Sequence, residues 1–180
     1  MKQPTAPGAA AAHVNVKQQT MLRTRPLLPQ DQALLWEWLH VALWDPPPAP
    51  LRPKEVLDNP HVRIYAESWG QPGDVGVVAE LTNESLPIGA CWMRRLPNGV
   101  GLASLDETTP QLGIALLPRF QHKGYGYPLM LAALKAARAA GYRQVSLTVH
   151  PQNPAISMYE HCGFEKVEIR NSYHLMVVKL

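Results

Sequence analysis

The chain has little that would tie it to a membrane, a metal or a disulfide framework. No apolar run in its 180 residues approaches the 18 or so needed to cross a bilayer. Cysteine is scarce: Cys91 and Cys162 stand 71 positions apart, in neither a metal nor a redox spacing. Free thiols in a reducing cytosol are the simplest reading, so a cytoplasmic setting is expected. The seven histidines form no H-x-x-x-H or H-E-x-x-H pair, and no metal site is expected. Two familiar phosphate signatures are also missing. There is no G-x-x-x-x-G-K-[ST], and G-x-G-x-x-G fails because its third glycine would fall on Leu129. Positive charge exceeds negative only slightly (17 Lys and Arg against 14 Asp and Glu), and Arg94-Arg95 is the only adjacent basic pair. That excess suits an anionic cofactor but not a nucleic-acid-binding stripe.

What is present reads as globular. Hydrophobic residues make up 46% and charged residues 17%, and the length suits one domain with a sizeable core, placed at residues 20–180. Residues 1–19 are rich in Ala, Pro and Gln and lack the apolar segment of a secretory signal, so they read as a flexible leader without a catalytic role.

The informative stretch runs from Pro110 to Gly126, PQLGIALLPRFQHKGYG. An apolar strand meets Pro118, a glycine-bearing turn comes next, and an alanine-rich helix begins at once. Within the turn, Gln121, Gly124 and Gly126 form Q-x-x-G-x-G. The first N–H groups of a helix lack intrahelical partners, and the macrodipole adds partial positive charge there. Glycine lets an anion approach the backbone closely. Lys123 and Arg119 add charge nearby. Alone, this pattern is equally a tight turn before a core helix.

Downstream, Gln144–Val149 alternates like a strand and ends in His150-Pro151-Gln152-Asn153-Pro154. A helix carrying Tyr159 then leads to Cys162-Gly163-Phe164. In order and spacing, these motifs over residues 109–166 resemble the GNAT family of N-acetyltransferases. The resemblance implies an α/β fold with a mixed, mostly antiparallel central sheet and helices on both faces. It implies acetyl-CoA as co-substrate, with no metal, and direct transfer of its acetyl group to a small-molecule or peptide amine. The pyrophosphate would lie on Gln121, His122, Lys123, Gly124, Tyr125 and Gly126. The pantetheine arm would run along Ile114, Leu116 and Leu117, in a slot where this strand splays from the next, with Asn153 bonding the arm. Asn153 equally suits a helix cap. Tyr159 would be the general acid, since a phenol with a pKa near 10 keeps its proton at neutral pH; its plainer role is to pack on Phe164. An acyl route through Cys162 is the lesser alternative. Gln111 stands where many relatives carry Glu, which leaves Glu80, Asp106 or Glu107 as the base, or an amine that arrives neutral. A homodimer stays open.

The N-terminal half reads as support for an acceptor site. Asp31 is a candidate N-cap for the helix QALLWEWLHVALW, whose Trp36, Trp38 and Trp44 fill core or face an acceptor groove. Pro46–Pro50 forms a stiff loop. Asn59-Pro60 should start a second helix running to Trp69. Val75–Leu81 and Pro87–Arg95 read as strands, and Phe164–Ile169 with Tyr173–Leu180 as a closing hairpin. A CoA-binding sensor without catalysis is the main rival reading; an RNA-binding domain and a Pro-rich interaction module fit less well.

Overall fold

The computed structural model describes residues 20–180; the leader expected at 1–19 lies outside them. Strand β1 (Leu22–Pro26) and a 3-10 turn (Pro29–Asp31) lead into α1 (Gln32–Ala42). After the proline loop come a second 3-10 turn (Lys54–Asp58) and a short α2 (Pro60–Arg63). Strands β2 (Val75–Leu81), β3 (Gly89–Arg94) and β4 (Gln111–Leu116) come next, then α3 (Gly126–Ala139), β5 (Gln144–Val149), α4 (Ala155–His161), β6 (Glu165–Arg170) and β7 (Tyr173–Lys179). The seven strands form one sheet in the order β1-β2-β3-β4-β5-β7-β6. Every neighbouring pair is antiparallel except β4 and β5, which run parallel on either side of α3 as a β-α-β crossover requires. The sheet is therefore mixed and mostly antiparallel, as the sequence led us to expect.

Both faces are covered. On one, Leu129, Met130, Ala133 and Leu134 of α3 pack with Tyr159 and Phe164 against Val77, Cys91, Val145, Leu147 and Met176. These α3 residues recur at helical spacing, so a single apolar stripe meets the sheet. On the other, Leu35, Trp38 and Leu39 of α1 pack with Ala66 and Trp69 on Val78, Ala90, Trp92 and Ala115.

Two local expectations need correction. Asp31 does not cap α1: its carboxylate accepts from the Leu28 N–H at 2.9 Å and pairs with Arg25 at 2.8 Å, closing the turn before the helix. The second helix also stops at Arg63 rather than Trp69. Beyond it, side chains take the carbonyls that a helix would need for itself. Arg94 donates to the Ile64 and Glu67 oxygens at 3.0 and 2.7 Å. Trp92 takes Tyr65 and Gln32 takes Ala66, at 3.1 and 3.0 Å. With those acceptors engaged, the backbone proceeds as turns to a left-handed Ser68 and Gly70.

No helix among the described residues is long and apolar enough to cross a membrane.

Candidate active site

The parallel pair β4–β5 meets at one register position, Gln111 opposite Ser146, where the Ser146 N–H donates to the Pro110 carbonyl at 3.1 Å. Beyond it the strands part, so β4 is fully paired with β3 on one side and open on the other. The period-two alternation of a strand decides which groups face that opening. Leu117 donates its N–H to Ile88 on the β3 side, so Ile114 and Leu116 face the gap. The Leu116 carbonyl is taken by the Gln121 side-chain amide at 2.8 Å. What remains open is the Leu116 N–H and both polar groups of Ile114. Leu117, also expected to line the pantetheine slot, has its N–H turned away from it.

The turn after β4 presents its own backbone. His122 and Gly124 have φ of 57° and 85°, left-handed values that suit glycine at the second position and are unusual for the first. Among the described residues, 122–127 donate no backbone hydrogen bond in this turn, and no side chain caps α3. Gly124 faces open space, and a Cβ placed on Gly126 would first meet the Met158 side chain at 3.6 Å. Several N–H groups are thus left without a partner, among the described residues, at the positive end of a 14-residue helix.

Where the strands part lies a cavity of about 640 Å³. Gly113 and Ile114 of β4 form one wall and Thr148 and His150, at the end of β5, another. Asn153 and Tyr159 also line it. The Asn153 side-chain oxygen accepts from the Ala155 N–H at 2.9 Å in a turn that leads into α4, and its amide nitrogen has no partner among the described residues. Tyr159 is 7% exposed, with its ring 6.0 Å from that of Phe164. Its hydroxyl makes no protein hydrogen bond among the described residues and is not a buried orphan, so it opens onto the cavity. Burial first, and then the neighbouring Cys91 and Cys162 thiols, push the Tyr159 pKa well above the usual phenol value.

The carboxylates considered as bases are elsewhere. Glu80 pairs with Arg25 at 2.7 Å. Asp106 accepts from the Thr108 and Thr109 hydroxyls, which hold its pKa low, and Glu107 is exposed. None of the three lines the cavity. Gln111 does, 2% exposed, accepting from the Tyr65 hydroxyl at 3.1 Å and donating to the Val100 carbonyl at 2.7 Å. Cys162 is half-buried, lies outside the cavity wall, and has its thiol pKa raised by burial, which disfavours the nucleophilic thiolate.

Of the three tryptophans, Trp44 alone lines the cavity, 5.6 Å from the His150 ring. Trp38 is core at 1% exposure, and Trp36 lies under the Arg63 guanidinium at 4.8 Å. Sequence reasoning passed over Trp92, Tyr65, Tyr173, His61, His150 and Arg52 in the same wall. One signal was available for Arg52. It and Asp45 flank the proline run with opposite charges, and they pair through two hydrogen bonds of 2.6 and 2.7 Å that tie the loop shut.

A family model described as Acetyltransferase (GNAT) family matches residues 36–164. The chain belongs to the GNAT family. Among curated proteins it is similar to the [ribosomal protein bS18]-alanine N-acetyltransferase of Haemophilus influenzae, 36% identical over 70 residues, which is 39% of this chain and 47% of that protein. The match thus spans about half the length of that relative. Among solved structures it resembles the YncA protein of Salmonella typhimurium with its cofactor acetyl-CoA, at a TM-score of 0.63 and 18% identity over 88% of this chain and 94% of that one. It also resembles PaiA N-acetyltransferase of Thermoplasma acidophilum in complex with coenzyme A, at 0.60 and 19% over 89% and 99%. At those identities the likeness is one of fold.

Proposed function

We propose that the protein transfers an acetyl group from acetyl-CoA to an amine by direct attack in a ternary complex. The observation that carries this reading is the open edge of β4 facing the parted β5, with the Tyr159 hydroxyl opening into the same cavity. The turn at Gln121–Gly126 suits a pyrophosphate, which its unpaired N–H groups and the α3 terminus would hold. His122, Lys123 and Tyr125 would contribute there through their backbone. Ile114 and the Leu116 N–H suit the amides of an extended pantetheine arm added as a strand, and the free Asn153 amide suits the same arm. Bound there, acetyl-CoA would supply the acetyl thioester.

Tyr159 would give its proton to the departing sulfur as the amine displaces it. Its raised pKa keeps that proton in place at neutral pH but makes it a reluctant donor. Transfer is therefore coupled to departure of a thiolate that is itself poorly hydrated in the cavity. With no carboxylate in the wall among the described residues, the amine would arrive neutral or lose its proton through water. That same wall is the one observation favouring a CoA-binding module without catalysis, and acyl transfer separates the two. The free thiols support a cytosolic setting.

The first test is thermal unfolding with acetyl-CoA, using ATP and NAD as controls. At about 100 times Kd, acetyl-CoA should stabilise the fold by roughly 2.7 kcal/mol. An equal response to every polyphosphate would reduce the Gln121–Gly126 turn to a generic anion site and remove the transferase reading.

A further inference from the structure

Among the described residues, the ionisable side chains of the cavity wall are one guanidinium, two imidazoles and three phenols: Arg52, His61, His150, Tyr65, Tyr159 and Tyr173. No carboxylate is among them. The rest of the wall mixes apolar and aromatic side chains such as Leu39, Trp44 and Trp92 with the uncharged amides of Gln111, Asn153 and Asn171. An amine that carries several ammonium groups would bring positive charge into a wall that offers no carboxylate, since Asp45 behind it is already engaged by Arg52 through two hydrogen bonds. Uncompensated charge taken from water is costly. A polyamine or an aminoglycoside is thus the wrong guest.

The donors present ask for something else. The Gln152 N–H donates to His150 Nδ1 at 3.1 Å, so the neutral imidazole keeps its own proton on Nε2 and is a donor there. Arg52 is held from behind by Asp45 and stands beside the Tyr173 hydroxyl on the wall. His150 itself is clasped between Trp44 and Tyr173, at ring distances of 5.6 and 5.7 Å. An imidazole N–H donor, a guanidinium and an indole thus share the wall near the end of β5.

We propose that the acceptor is an α-amino acyl group with an apolar side chain. Its single amine is the one acetylated, its α-carbonyl or carboxylate oxygen meets Arg52 and His150, and its side chain lies on Trp44. Free amino acids and peptide N-termini share this chemistry. The inference rests on the acetyl-transfer reading and narrows it to one substrate class.

The test measures thiol release from acetyl-CoA with L-leucine, leucinamide, a Leu-Ala dipeptide, spermidine and an aminoglycoside. The best of the three leucine compounds should exceed spermidine and the aminoglycoside in kcat/KM by about 100-fold. A lead for leucine identifies a free amino acid as the source; a lead for the dipeptide identifies a chain terminus. Trp44→Ala, or Trp44→Phe if the first is unstable, should raise KM for that compound about 10-fold while leaving KM for acetyl-CoA unchanged. Spermidine or the aminoglycoside turned over as well as leucine compounds would overturn the inference. So would failure of all three leucine compounds while acetyl-CoA still stabilises the fold. If acetyl-CoA does not stabilise the protein, the transferase reading falls first and takes this inference with it.

Discussion

The ring of Tyr159 packs in the core and its hydroxyl would act as the proposed acid, and the two roles can be separated. The ring packs on Phe164 in the α3 face of the core, whereas the hydroxyl opens onto the cavity. Tyr159→Phe keeps the ring and removes only the donor. We expect kcat to fall by about 10²–10⁴ with acetyl-CoA affinity nearly intact, read from steady-state kinetics beside ligand-induced stabilisation. An unchanged kcat would leave Tyr159 as packing alone. At this same scale the tryptophans explain why composition could not find the site. Trp36, Trp38 and Trp44 lie on or just beyond one apolar helix, yet one covers a guanidinium, one is core and one lines the cavity. Their separation depends on where α1 ends and which strand lies beneath it, neither of which is local information.

Among the elements, the segment after α2 shows tertiary structure overriding a local helix signal. Asn59-Pro60 does start a helix, with the Asn59 side chain accepting from the His61 N–H at 2.9 Å. The backbone beyond Arg63 is shaped by Arg94, 8% exposed in its side chain and paired with Asp74 at 2.6 Å. Arg94→Met should strand the Asp74 carboxylate, 3% exposed, and release the Ile64 and Glu67 carbonyls. Unfolding free energy should drop by about 3–5 kcal/mol, measured by urea denaturation; a loss under about 1 kcal/mol would show that water replaces the guanidinium. The strands, the long helix and the closing hairpin were legible because their apolar periods and turn residues are local. So was the Q-x-x-G-x-G turn. The cavity wall was not, because Arg52, Tyr65, Trp92, His150 and Tyr173 come from five separated segments that only the sheet order brings together. Asp31 was misread for a related reason: Arg25, from the neighbouring strand, competes for the carboxylate a cap would need.

For the whole molecule, buried neutral groups and paired carboxylates define a pH window. Arg25 holds Asp31 below the usual carboxylate range, Arg52 does the same for Asp45, and the Thr108 hydroxyl leads in lowering Asp106. A depressed folded pKa gives stability that is present above the unfolded value, near 4, and lost as pH falls through the folded one. Burial acts in the opposite sense on the Cys91 thiol and the Tyr159 phenol, raising both. Their contribution is complete below the unfolded thiol pKa of about 8.5 and declines as pH rises past it, with the phenol adding its share above about 10. Urea midpoints should therefore be level between about pH 5 and 8 and fall on either side. Cys91→Ala, though less stable throughout, should flatten the decline between about pH 8.5 and 10. A wild-type midpoint that holds steady to about pH 10.5 would contradict the alkaline half of this window.

The single rung between β4 and β5 has a mechanical consequence. Strands β1–β4 and β5–β7 are two slabs, each held by antiparallel ladders of several pairs, and the joint between them has one pair. A ligand strand laid into that joint would act as mortar, supplying cohesion that the chain itself omits. The place where the sheet is least bonded to itself would then be the place where it gains most from being occupied.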